Sequence, residues 1–172
     1  MNEIFDVVDD ADRVIGQASR AEVHATGRKH RAVHVFLFNL RGELFLQQRT
    51  AGKDTFPGCY DSSASGHLDA GETYDAGAVR ELREELGIAV APDALRRCFK
   101  VAACAATGQE FVWVYSLRGD YRPVINPAEL AGGEFWPLAE VRRQIAAHPG
   151  QFAPAFVLIF HKWLSNFPAG AV

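Results

Sequence analysis

Cysteine is scarce in this 172-residue chain: Cys59, Cys98 and Cys104 are the three present, an odd set with no CxxC pair. That excludes a disulfide framework or a thiolate zinc knuckle and fits reduced thiols. Long hydrophobic runs are missing as well. The most apolar stretch near the end, residues 152–160, is too short to cross a bilayer. Residues 1–10 carry acids where a secretion signal has a basic segment and an apolar run. Nor is positive charge in excess. Eighteen Lys and Arg against 21 Asp and Glu leave a net charge of −3, which argues against a broad footprint on nucleic acid. A local basic pocket for a small phosphorylated ligand stays open. These absences point to a cytoplasmic protein with no nucleic-acid polymer and no membrane as partner. What remains is ordinary for a globular chain, 48% hydrophobic and 23% charged, and long enough for a single domain with its own core.

Strand and helix signals alternate without a strict βαβ rhythm, which favours a mixed α/β sandwich. Residues 4–8 and 14–17 flank the turn-rich Asp9-Asp10-Ala11-Asp12 and read as a hairpin. Ser19 is placed to cap a short helical turn reaching Ala25. Residues 33–38, 44–48, 95–103, 111–117 and 135–138 read as strands, with a loop over 105–110. Residues 139–147 and 156–167 read as closing helices, with Phe156, Phe160 and Trp163 at core spacing. Residues 74–86 form the clearest helix, with Thr73 as N-cap and Gly87 just past its end. The N-terminal hairpin is a candidate contact for a homodimer.

The chemistry concentrates between Gly66 and Ile88. Glu72 follows Gly66, and then comes Arg80-Glu81-Leu82-Arg83-Glu84-Glu85-Leu86-Gly87-Ile88. At about 100° per residue, Glu85 lies about +40° and Glu84 about −60° from Glu81, so the three carboxylates share one arc. Val79, Leu82 and Leu86 fall on the other side and can pack on a sheet. Like charges at these spacings oppose the helix by a few tenths of a kcal/mol per pair. A hard divalent cation offsets that repulsion, because Mg²⁺ prefers carboxylate oxygens and keeps room for water and phosphate. A solvated acidic face balanced by Arg80 and Arg83 is the bland alternative.

The stretch fits G-x5-E-x7-R-E-U-x-E-E-x-G-U, where U is a large aliphatic residue, and is identified as a Nudix box. The resemblance implies an α/β/α sandwich with a central mixed sheet, over 1–172 as one domain with residues 1–28 as an N-terminal hairpin and helical turn. It implies Mg²⁺ or Mn²⁺ bound by Glu81, Glu84 and Glu85 with the Gly66 carbonyl, and a Glu72–Arg80 pair that orients the loop. The activity it implies is hydrolysis of a diphosphate linkage, with Glu84 or Glu110 taking the proton from water.

A second resemblance covers residues 24 to about 163. His30-Arg31-Ala32, Gln47-Gln48-Arg49, Lys53, Phe56-Pro57-Gly58, Gly66-His67 and Phe152-Ala153-Pro154 are similar to isopentenyl-diphosphate isomerases, which use the same fold. It implies that Arg49 and Lys53 hold a substrate diphosphate. It also makes His30, His67 and Glu110, with His24 across a one-residue gap, a candidate second metal or phosphate site. The departures fall on the reactive centre. Ser65 stands where that family has its catalytic cysteine, Ala155 where it has a tryptophan, and Gly108 where it has a second loop glutamate. A serine is a far weaker acid than a thiol, and alanine offers no π surface to a carbocation. The box acids, in contrast, are complete. The leading expectation is therefore a metal-dependent hydrolase of a small, nucleoside-diphosphate-type compound. An isomerase-like enzyme and a non-catalytic diphosphate-binding module are the alternatives. Ser65 has no Ser-His-Asp context and is assigned a backbone role, and Cys59 is assigned to packing.

Overall fold

The computed structural model describes residues 3–168. β1 (Ile4–Val8) and β2 (Val14–Ser19) pair antiparallel as the expected hairpin. The Ser19 hydroxyl accepts from Glu22 N and starts α1 (Arg20–Thr26), which ends on Gly27 in the left-handed region. Phe5, Val7, Ala18 and Val23 close a small apolar cluster beneath this unit.

The main sheet is mixed. β3 (His30–Phe38), β4 (Leu44–Arg49), β5 (Tyr60–Asp61), β6 (Ala64–His67), β7 (Arg96–Val101), β8 (Glu110–Arg118) and β9 (Leu130–Trp136) form it. β3 and β8 run parallel through its centre, and the other pairings are antiparallel. Alternation along β3 sends Ala32, Phe36 and Phe38 to one face and Val33, Val35 and Leu37 to the other. α3 (Leu138–Ala147) and α4 (Pro154–Asn166) cover the first face, and α2 (Tyr74–Leu86) covers the second. The result is the expected three-layer sandwich. Phe156, Phe160 and Trp163 are core residues, with Trp163 against Phe36 and Phe38 at ring separations of 5.2 and 5.3 Å.

Two expectations need correction, and two strands are added to the sequence reading. The strand placed at 135–138 runs instead from Leu130 to Trp136, and Leu138 already begins α3. Its weak formers Gly132 and Gly133 are held by full pairing to β4; a side chain at Gly133 would collide with the Phe45 ring beneath it. β5 and β6 went unread because 60–67 is rich in serine and has no apolar period; pairing to β4 and β3 makes them strands. On α2, Ala78 takes the core position expected of Val79, which is only partly buried. The buried face includes Glu81 and Glu85 together with Leu82 and Leu86.

Replacement of Trp163 by alanine empties the junction of α4 and the sheet. The expected cost is about 3–5 kcal/mol, read in urea as a lower midpoint at unchanged slope.

Candidate active site

A cavity of about 530 Å³ opens where β6, α2, α1 and the loops after β4 and β7 meet. Its lining includes Gly66, Glu81, Glu84, Glu85, Arg80, Arg49, Lys53, His24, His67 and Glu110. Of the residues nominated from sequence, only His30 and Glu72 stand behind its wall.

The carboxylates are not equivalent. Glu81 and Glu85 are 9% and 5% exposed, whereas the Glu84 side chain keeps 47% of its surface open. A Cβ at Gly66 would collide with the Glu81 carboxylate, so the box glycine makes room for that acid. Burial pushes Glu81 up to about 7, against the opposing pull of Arg80. Burial raises Glu85 well above the carboxylate range too, and the nearby Glu81 charge adds to it. Ser65 N donates to Glu85 Oε2 at 2.9 Å, which is the backbone role expected of Ser65. Two desolvated acids with few compensating donors are the donor set that a hard divalent ion satisfies.

Arg80 ties the loop to the helix. Its Nε and one terminal nitrogen bond the two Glu72 oxygens, each at 2.9 Å, and that nitrogen also reaches the His67 carbonyl at 2.8 Å. The other terminal nitrogen donates to Glu81 at 2.7 Å and Glu84 at 3.1 Å. The Glu72 hydrogen bonds raise the Arg80 pKa against the effect of burial, so its charge is fixed. Glu72 and Arg80 thus pair between the loop and the helix.

The three histidines and Glu110 form a second group. His24, His30 and His67 bring ligand nitrogens within 4.8 Å of one another, including the His24 whose sequence match needed a gap. Phe5 stacks on the His67 ring at 4.7 Å and on His30 at 5.6 Å. Arg20 donates to His67 Nδ1 at 3.3 Å, so the His67 proton sits on Nε2 and faces Glu110 Oε1 at 3.0 Å. His30 Nδ1 donates to the Arg28 carbonyl at 3.0 Å, and its Nε2 is buried with no hydrogen-bond partner, 3.6 Å from Glu110. Burial works to raise Glu110, but the imidazoles of His30 and His67 outweigh it and hold the carboxyl well below its usual range. Burial lowers His24, and its two imidazole neighbours lower it further.

Arg49 and Lys53 reach the same cavity. Arg49 is anchored on the Thr55 carbonyl at 3.0 and 3.1 Å and on Asp61 at 3.4 Å, and Lys53 pairs with Glu129 at 2.6 Å. Several contributors were not read from sequence. Arg20 is the first residue of α1, with no motif around it to set it apart. Asp61 lay in an unread strand. His34 is a single polar residue between Val33 and Val35 of β3, and that interruption was the available signal; Gln47 begins the polar end Gln47-Gln48-Arg49 of β4 and carried none. His34 is fully buried against the Ser62 hydroxyl at 2.7 Å.

The NUDIX domain family model matches residues 28–156. A Deinococcus radiodurans protein named Nudix hydrolase is 34% identical over 146 residues, 85% of each chain. A Nocardia farcinica protein named isopentenyl-diphosphate Delta-isomerase is 39% identical over 153 residues, 87% of each. A crystal structure of a Deinococcus radiodurans protein superposes with a TM-score of 0.81 at 32% identity, covering 93% of this chain and 98% of that one. The complete box, the sandwich and these relatives agree: the chain belongs to the Nudix family and is a Nudix hydrolase acting on phosphoanhydride bonds.

Proposed function

We propose that the chain hydrolyses a diphosphate linkage in a small organic substrate of the nucleoside-diphosphate type, with Mg²⁺ or Mn²⁺. The observation that carries this reading is the buried pair Glu81 and Glu85, packed against Gly66 in a cavity that also holds Arg49 and Lys53. Glu81 and Glu85, with Glu84 and the Gly66 carbonyl, would hold the ion. When bound, it polarises phosphoryl oxygens and lowers the pKa of a coordinated water. Arg49, held by Thr55 and Asp61, presents a planar cation to a phosphate. Lys53 exchanges Glu129 for substrate oxygen. Glu84, the most exposed of the three acids, takes the water's proton. Glu110 is engaged by imidazoles and is assigned to the histidine group instead. His30 Nε2 is buried without a hydrogen-bond partner 3.6 Å from Glu110 Oε1, and with His24, His67 and that carboxylate it makes a nitrogen-and-oxygen set suited to a cation. That favours metal over phosphate at this second site.

The isomerase reading has two supports, the histidine group and the name of the Nocardia relative. Against it, Ser65 and Ala155 line the cavity in place of a thiol and an indole. Product analysis with isopentenyl diphosphate decides: dimethylallyl diphosphate would establish the isomerase. Ligand uptake without phosphate release would mark a binding module.

A phosphate-release screen over diphosphate compounds with Mg²⁺ tests the main reading. Glu85→Gln is expected to lower turnover at least about 10²-fold with an unchanged circular-dichroism spectrum; wild-type rates would refute the assignment. Stability supplies a second check. Glu81 is raised in the folded state from 4.5 to about 7. Its contribution is therefore fully present below pH 4.5 and is lost as pH rises through about 7. The metal-free wild type should lose stability relative to Glu81→Gln across that interval, and Mg²⁺ should abolish the difference. A pH-independent gap between the two in urea would contradict it.

A further inference from the structure

Gln47 is 1% exposed. β4 alternates Leu44 and Leu46 into the core beneath α4 and Phe45 into the core beneath α2. By the same alternation Gln47 faces α2, at a position where an apolar side chain would continue the pattern. Its backbone is fixed between two strands, opposite Asp61 on β5 and Gly133 on β9. The amide nitrogen donates to Glu85 Oε2 at 3.3 Å and to the Ser65 hydroxyl at 3.2 Å. Ser65 N donates to the same Glu85 oxygen at 2.9 Å. Glu85 Oε2 therefore receives two N–H groups from two different strands. Among the described residues no hydrogen bond is made to Oε1.

The orientation of the amide comes at a cost. Gln47 Oε1 is buried without a hydrogen-bond partner, and such groups are disfavoured unless something requires them. Turning the amide over would place that oxygen against the Glu85 carboxylate, exchanging an attraction for a repulsion. The amide is thus oriented by Glu85, and an apolar residue would avoid the unpaired oxygen altogether. Packing alone does not account for a glutamine here.

We propose that Gln47 is a positioning residue for the divalent-ion site: together with Ser65 N it fixes Glu85 Oε2, so that the carboxylate meets the ion in one orientation through Oε1. The role rests on the reading of Glu85 as an ion ligand. Groups that orient ligands in this way typically contribute 10- to 100-fold in metal affinity.

Isothermal titration with Mn²⁺ alone, without substrate, tests it. Gln47→Met keeps the length and volume of the side chain and removes the donor. It should bind Mn²⁺ about 10- to 100-fold more weakly than wild type, with the thermal midpoint of the metal-free protein unchanged or raised. Gln47→Asn, with its amide withdrawn by one methylene, should show the same loss and is read if the methionine variant does not fold. A folded variant that binds Mn²⁺ as tightly as wild type overturns the role of Gln47 alone. Failure of both variants to fold assigns Gln47 to packing and also overturns it. Failure of the wild type to bind Mn²⁺ overturns the ion-site reading, and the Gln47 role with it.

Discussion

Two carboxylates of one helix face the interior of this protein, against the ordinary rule that acids turn to water. The desolvation of Glu81 and Glu85 is the constraint around which the site is arranged. Gly66 has no side chain because Glu81 occupies that space. Arg80 is drawn to the helix surface beside Glu81 and is held there by Glu72, which in turn accepts from Asp69 N at 3.0 Å. Ser65 N supplies a donor to Glu85. The apolar face of α2, with Leu82 and Leu86 fully buried, supplies the packing that keeps both acids indoors. A helix whose acids faced solvent would need none of these partners.

The N-terminal unit contributes a second chemistry to the same cavity. The hairpin and α1 precede the segment matched by the family model, yet they bring Phe5, Arg20 and His24 against His30, His67 and Glu110. Asp12, in the hairpin turn, secures this unit: Arg31 bonds its carboxylate at 2.7 Å, Tyr74 at 2.9 Å, and Lys100 pairs with it. Asp6 accepts from Gly71 N, and Ala70 N donates to the Ile4 carbonyl, so the hairpin is stitched to the loop that leads into α2. Carboxylate oxygens line one wall of the cavity and imidazole nitrogens another.

Much of this was legible in the chain. The limits of α2 followed from Thr73 and Gly87, whose capping roles the structure bears out. The closing helices and the central strands followed from apolar periodicity. What escaped had no periodic signal: β5 and β6 are short, serine-rich, and made strands by their neighbours. The angular reading of α2 put the three acids on a common arc and assigned no depth to it. A hundred-degree arc contains both Glu84, at the solvent boundary, and Glu85, on the sheet side, and only packing separates them. His24 was weak by spacing because its helix reaches the site through a separate unit. Gln47 required knowing which strand face meets α2.

The central claim is that Glu81 and Glu85 are buried to hold a divalent ion. A crystal soaked in Mn²⁺ at pH 8 tests it most directly, through an anomalous difference map. The account predicts a peak bonded to oxygens of both carboxylates, beside the Gly66 carbonyl. A map with no peak there, and with both acids still buried in contact only with protein, would contradict it.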